Sequence, residues 1–383
     1  RVAPKEEVRR LRVERPSGVR QYDREAREID RVGRYGGEEF ILLLPGTVLL
    51  ASIDRPSRLR KITVGLTAFG FIYAFYAIIQ SVLSPDKIYG IYEPAYAQPF
   101  GSFVNRHNFA AIIEMTIALP LGLLFAGAVK KDQRLLYWVA IALMATALLL
   151  SGSRGGLVAL LAGLVFLAIL TIMQKGRPAI FLSISLAVAL AAIAIAGAVF
   201  VGGDTSLTRF SDSAAGSNIS SSRSHIWATS IRVIAAHLPL GAGLGAFPQA
   251  YTRFDTLGGG QSVEQAHNDY LQVLADAGIV GGLLGAWFLY LLLREGFRNV
   301  RSRDNYRRGV AMGAFAGCLA ILVHSLFDFV LHITAVSVMF MTLMALLVAS
   351  GRRFEGDDIA QSRRSTPVSE LTGRTPPIGS QAA

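Results

Sequence analysis

PAIFLSISLAVALAAIAIAGAVFV, residues Pro178–Val201, carries no charged side chain. A helix of this length crosses the roughly 30 Å hydrocarbon core of a bilayer. Backbone amides in hydrocarbon need partners within the protein, and a helix supplies them from its own chain. The same pattern recurs on both sides. Ile62–Leu83, Asn108–Ala128, Leu135–Leu150 and Leu157–Met173 precede it, and Ile279–Leu293, Gly309–Phe329 and Ile333–Ser350 follow. The sixth of these spans extends back toward Leu271. The expected fold class is therefore an all-α polytopic membrane protein with about eight transmembrane helices.

Composition agrees. Of 383 residues, 52% are hydrophobic and only 17% charged, against about a quarter charged in soluble domains. The net charge of +11 does not point to nucleic acid, because the basic residues sit in short connections between apolar spans. Arg58, Arg60 and Lys61, then Lys130, Lys131 and Arg134, then Lys175 and Arg177, then Arg298 to Arg308, then Arg352 and Arg353 fall on alternate connections. That is the positive-inside pattern, and it places these connections in the cytoplasm, with membrane lipids as neighbours. Cys318 is the single cysteine, so one chain forms no disulfide and no thiolate metal site. The chain begins at Arg1 with charged residues, which is not a signal peptide, and a native start upstream is expected.

Three regions follow: residues 1–50, a membrane region 51–353 with a long outer connection at 202–270, and a disordered cytoplasmic tail at 354–383. Within the outer connection, Ile226, Trp227, Ser230, Ile231 and Ile234 recur at helical spacing. They predict an amphipathic helix over Ser222–Ala236, capped by Ser221 or Ser222. Pro239–Phe247 (PLGAGLGAF) reads as a glycine-rich turn, and Gly278 as a bend at the sixth span.

Ionisable groups at the membrane edge are costly and mark candidate sites. Ser151–Gly156 (SGSRGG) is a tight outer turn whose one charge is Arg154. An arginine beside glycines and a helix start makes an anion site; the structural alternative is an arginine reaching lipid phosphates. Arg223 opens the amphipathic helix and Arg232 lies further along it, each either a ligand group or a solvated charge. Ala266–Gln272 (AHNDYLQ) places His267, followed by Asn268, Asp269 and Tyr270, just before the sixth span. A histidine there suits a general base, with a capping or structural role as the alternative. His107, His225 and His237 read as structural. His324, Asp328 and His332 recur every four residues and would share one helix face, as a buried polar network in preference to a proton path or a metal ladder. No histidine pair has metal-ligand spacing.

Taken in order, Gly101–Ala110 (GSFVNRHNFA), Ser151–Gly156, Arg223 with Trp227 and His237–Gly245, His267–Gln272, and His324–Asp328 (HSLFD) resemble the O-antigen ligase/polymerase family of membrane glycosyltransferases. The resemblance runs from about Asp54 to Ser350. It implies a GT-C-like helical bundle with a large periplasmic loop, in the bacterial inner membrane. The implied donor is an undecaprenyl-diphosphate-linked glycan, and the acceptor is lipid A-core or another glycan. The implied reaction is inverting, and no cofactor and no metal are required. Arg154 and Arg223 would hold the diphosphate, and His267 would take the proton of the attacking hydroxyl. Arg106, Asn268, Asp269, Tyr270 and Arg232 are secondary candidates. Members of the family carry further spans, about four, ahead of Ile62. A polymerase uses the same site logic as a ligase and stays open as an alternative. A polysaccharide transporter or lipid flippase is the alternative of another class. Glu114 and the His324–His332 face favour that reading, whereas no internal repeat or matched pair of broken helices supports it.

Asp30–Thr47 (DRVGRYGGEEFILLLPGT) resembles the signature hairpin of GGDEF diguanylate cyclases. It reads as a soluble β-hairpin-like remnant. A cyclase also needs an earlier strand with a metal-binding aspartate and a phosphate loop, and too little chain precedes Arg34 for them. Purified protein given GTP and Mg²⁺ should therefore form no cyclic dinucleotide, and chromatographic detection of one would reverse this reading.

Overall fold

A computed structural model describes residues 48–94, 98–175, 219–256 and 263–352. Among these the elements are helices: α1 (Pro56–Leu83), α2 (Arg106–Phe125), α3 (Arg134–Leu150), α4 (Arg154–Lys175), α5 (Ile219–His237), α6 (Phe247–Phe254), α7 (Asp269–Asn299), α8 (Asn305–His324) and α9 (Thr334–Ser350). Six are long and apolar enough to span a membrane, namely α1, α2, α4, α7, α8, and α3 with the turn before it; α9 is a shorter apolar helix. The protein is an all-α polytopic membrane protein. The apolar run 178–201, the cyclase-like stretch 30–47, residues 202–218 of the outer connection and the tail 354–383 lie outside the described residues.

Side-chain chemistry sets the helix starts. Asn105 accepts from the His107 amide at 2.9 Å and caps α2. Asn268 accepts from the amides of Tyr270 and Leu271, both at 3.0 Å, and caps α7. Asp304 accepts from the Arg307 amide at 2.8 Å and caps α8. Each satisfies donors that a helix N-terminus leaves without partners.

α2 and α8 form the centre of the bundle. Nearly every α2 residue is buried, and α8 packs along it. Glycines permit the approach. A Cβ on Gly313 would stand 2.6 Å from the Ala118 carbonyl oxygen, and one on Gly122 would meet the Gly313 backbone. Gly309, Gly313 and Gly317 repeat every fourth residue along one α8 face, the small-residue spacing that lets membrane helices touch backbone to backbone. α1 and α7 lie outside this pair and expose Phe69, Ile72, Phe75, Leu283, Leu284 and Trp287, as lipid-facing helices do.

The basic connections meet at one end of the bundle. Arg308 Nη2 donates to the Ala126 carbonyl at 3.2 Å, Arg307 to the Arg352 carbonyl at 3.1 Å, and Gln174 to the Val300 carbonyl at 3.0 Å. The chain end of α8, the start of α2 and the 151–153 turn meet at the opposite end.

Two expectations need correction. The seventh span does not run to Phe329: α8 ends at His324, and after a turn a short 3-10 segment, Val330–His332, leads to α9. His324, Asp328 and His332 therefore share no helix face. Four-residue spacing aligns side chains only while the helix continues, and here the chain turns after Ser325. The amphipathic outer helix starts earlier than expected, at Ile219. Gly278 does bend α7, with φ 58° and ψ −146° inside the helix, a region that favours glycine. The backbone groups freed there are satisfied by the glycine-rich turn. Ala242 and Gly243 donate to the carbonyls of Ala275 and Asp276 at 2.8 and 3.0 Å, and Ile279 donates to the Pro239 carbonyl at 2.8 Å.

Gly313→Leu should lower the unfolding free energy by about 2 kcal/mol through overpacking of the α2–α8 seam. Gly65→Leu, on α1 with no atom within 4 Å of its added Cβ, should be near neutral. Thermal unfolding in detergent distinguishes the two.

Candidate active site

The turn after α8 is held by the start of α7. The Asp269 amide donates to the Ser325 carbonyl at 3.0 Å, Asn268 Nδ2 to the Leu326 carbonyl at 2.9 Å, and the Tyr270 hydroxyl to the Leu322 carbonyl at 2.8 Å. The Asp269 carboxylate takes His332 Nδ1 at 2.7 Å and the Leu331 amide at 3.1 Å. Asn268, Asp269 and Tyr270 thus clamp the turn through Asn268 Nδ2, the Asp269 carboxylate and amide, and the Tyr270 hydroxyl.

The clamp buries Asp328, which is 3% exposed. Its Oδ1 accepts from His267 Nδ1 at 3.1 Å and from the Phe329 amide at 3.0 Å. Its Oδ2 accepts no hydrogen bond and faces Arg223 Nη2 at 3.6 Å and His107 Nε2 at 3.9 Å. Burial pushes the carboxyl pKa up. The His267 hydrogen bond and the charges of His107, Arg223 and His267 outweigh it and bring the value down to about 2. Asp328 is an anion at neutral pH.

An ionised carboxylate only accepts, so His267 Nδ1 carries a proton, and in the neutral tautomer this fixes, Nε2 holds the lone pair. The imidazole is a third exposed and stands edge-on to Phe329, ring centroids 5.0 Å apart. The His267 backbone has φ 49°, sparsely populated for a residue with a Cβ. Clamping on both sides holds it there: the Ala266 amide donates to Gln272 Oε1 at 2.8 Å, and Trp227 Nε1 reaches the His267 carbonyl at 3.4 Å.

Arg154 opens α4, and its two chain neighbours reach toward this group. On its left Ser153 Oγ bonds His107 Nδ1 at 2.8 Å, and on its right Gly155 packs so closely on His324 that a Cβ would stand 2.9 Å from Nε2. The Arg154 side chain is exposed. Beneath the turn, His324 Nδ1 and Glu114 Oε2 pair at 3.0 Å with both side chains 0% exposed. Arg106 reaches Gln98 and borders Gly152. Arg232 is exposed and lies nine residues beyond Arg223, a half-turn out of phase on α5, away from Asp328.

The structure thus brings Arg223 and His267 together at Asp328, and it places Arg154 at the opening of α4, one residue after Ser153, which bonds His107. It also brings residues the sequence reading set aside. His107, read as structural, faces Asp328, and Asp328 itself is the hub. His225 and His237 lie elsewhere, bonded to Asp255 at 2.9 Å and to the Val233 carbonyl at 2.8 Å. The signal that could have found His107 is its place in GSFVNRHNFA, one residue after the arginine that opens α2. Among the described residues, no group of three or more His, Cys, Asp or Glu is arranged to hold a metal ion.

Residues 139–286 match a family model described as O-Antigen ligase. This part of the chain is similar to the O-antigen ligase family. The ligase segment contains Arg154, Arg223 and His267, whereas His107, Glu114 and Asp328 come from outside it. With the apolar helices long enough to span a membrane, this likeness supports a multi-pass membrane protein of the O-antigen ligase/polymerase type. No curated protein matches the chain.

Asp328 contributes stability in its ionised form. Its folded pKa is depressed, so that contribution is present above the unfolded value near 4 and fades as pH falls through about 2. Asp328→Asn should lower stability by about 2 kcal/mol. The gap to the parent should hold from pH 7 to about 4 and narrow toward pH 2, read as unfolding midpoints across that range.

Proposed function

We propose that the protein transfers a glycan from an undecaprenyl-diphosphate carrier to a sugar hydroxyl, as an O-antigen ligase on the outer face of the bacterial inner membrane. The observation that carries this is the Asp328–His267 hydrogen bond, which engages Nδ1 and leaves Nε2 as the nitrogen available to act as a base. In the proposed reaction His267 Nε2 takes the acceptor hydroxyl's proton as its oxygen bonds to the anomeric carbon. The bond from that carbon to the diphosphate breaks, and the lipid diphosphate leaves with the electron pair. Attack opposite the leaving group inverts the anomeric centre.

Arg154 and Arg223 supply the countercharge to the leaving diphosphate. A guanidinium offers two parallel donors that match phosphate oxygens. Arg223 is tethered to Asp328 by charge alone, without a hydrogen bond to it, which leaves its donors for a ligand. Preorganised positive charge where negative charge develops is a large catalytic contribution, and it supports a reaction in which arginines do the work of a divalent cation. Burial decreases from Asp328 through Arg223 and His267 to Arg154. That order supports a site open toward a lipid headgroup and its acceptor.

Transfer from a lipid-diphosphate glycan in reconstituted membranes tests this reading. His267→Ala should reduce kcat by about 10²-fold or more with donor binding retained, and Asp328→Asn should reduce kcat in the same direction. Arg154→Lys should raise the KM for donor, because an ammonium cannot reproduce the paired donors. Arg232→Ala should be mild, and EDTA should have no effect. Near-normal transfer by His267→Ala, or loss of transfer in EDTA, would overturn the mechanism.

A further inference from the structure

The outer helix α5 is tied down at both ends. Near its start Arg223 meets Asp328, four residues past the end of the α8 span. Beyond its end the Pro239–Gly243 turn meets the α7 break, through the hydrogen bonds of Ala242, Gly243 and Ile279. Arg223 and His237 are 14 residues apart, about 21 Å along a helix. The first tie lies just past the end of α8 and the second at the α7 break that precedes the apolar run from Ile279, a placement that suits α5 running along the membrane surface.

The turn itself goes deeper. The Leu240 carbonyl carbon lies only 2.7 Å from where a Cβ on Gly278 would be, so its backbone packs on the residue just before Ile279. Ile279 begins the apolar run of α7, and Ile279, Val280 and Leu283 are exposed on it as lipid-facing side chains. Leu240 and Leu244 are 72% and 74% exposed, and Leu238 and Ile231 continue the apolar surface along α5. The polar atoms of the turn point the other way, into the hydrogen bonds with α7. Leucines at this exposure, continuous with a lipid-facing helix, are what an interfacial segment presents to a bilayer.

We propose that the Leu238–Leu244 turn inserts Leu240 and Leu244 into the acyl region of the outer leaflet and anchors α5 on the membrane surface. The occupant of this apolar surface is lipid rather than a protein partner. The anchor fixes the end of α5 opposite Arg223, and so sets the height of that arginine over the bilayer. The inference concerns membrane depth and holds whatever group the site transfers.

The test uses the full chain with Cys318→Ser, in nanodiscs of phosphatidylethanolamine and phosphatidylglycerol. Leu240→Cys, Leu244→Cys and, as the water-exposed reference, Thr252→Cys on α6 are each labelled with an environment-sensitive fluorophore. Quenching by nitroxide-labelled lipid is compared with quenching by iodide. The ratio of lipid to iodide quenching should be several-fold higher at 240 and 244 than at 252, with blue-shifted emission. A ratio at or below that of 252 would put the turn in water and overturn the proposal. Protection from both quenchers would assign the surface to a protein contact and overturn it equally.

Discussion

A carboxylate almost wholly removed from water at the end of a membrane helix must be met by positive charge and hydrogen bonds. Asp328 is met by His267, by the Phe329 amide, and by Arg223 and His107 at slightly greater distance. Each partner comes from a different element, so one buried charge determines how α2, α5, the start of α7 and the turn after α8 come together. The same charge fixes the proton on His267 Nδ1, and the chemistry of the outward nitrogen follows from it.

The surroundings make that arrangement durable. Below it, glycines on α2 and α8 bring two backbones into contact, and the Glu114–His324 pair sits in their seam with neither side chain exposed. Beside it, the Asn268–Asp269–Tyr270 clamp uses its polar atoms on the 322–332 segment, which keeps the Asp328 carboxylate turned toward His267. The strained φ of His267 persists because neighbouring contacts over-determine it. The least constrained of these groups are Arg154, whose side chain is exposed, and Arg223, held by charge without a hydrogen bond to Asp328.

The break in α7 shows how a membrane protein handles an irregular backbone. Gly278 releases carbonyls that would otherwise lack partners, and the turn after α5 supplies the amides. That exchange attaches the outer helix bearing Arg223 to the span that begins with the His267 clamp. Two of the proposed site groups are therefore linked through backbone as well as through Asp328.

The spans were legible in the sequence because hydrocarbon imposes a length and a composition on each one, and both are local properties. Arg154, Arg223 and His267 were singled out for a related reason: a charged or titratable group at a membrane edge stands out against apolar neighbours. Asp328 was visible but misplaced, since spacing of four residues implies one face only if the helix continues, and α8 stops at His324. His107, Glu114 and the α2–α8 glycine seam acquire their meaning from partners as much as 221 residues away. By itself the sequence determined which segments enter the membrane and which polar groups are costly there. Only the tertiary structure decided which of those groups face one another, because pairing across the bundle depends on helix ends and packing distances that local pattern does not encode.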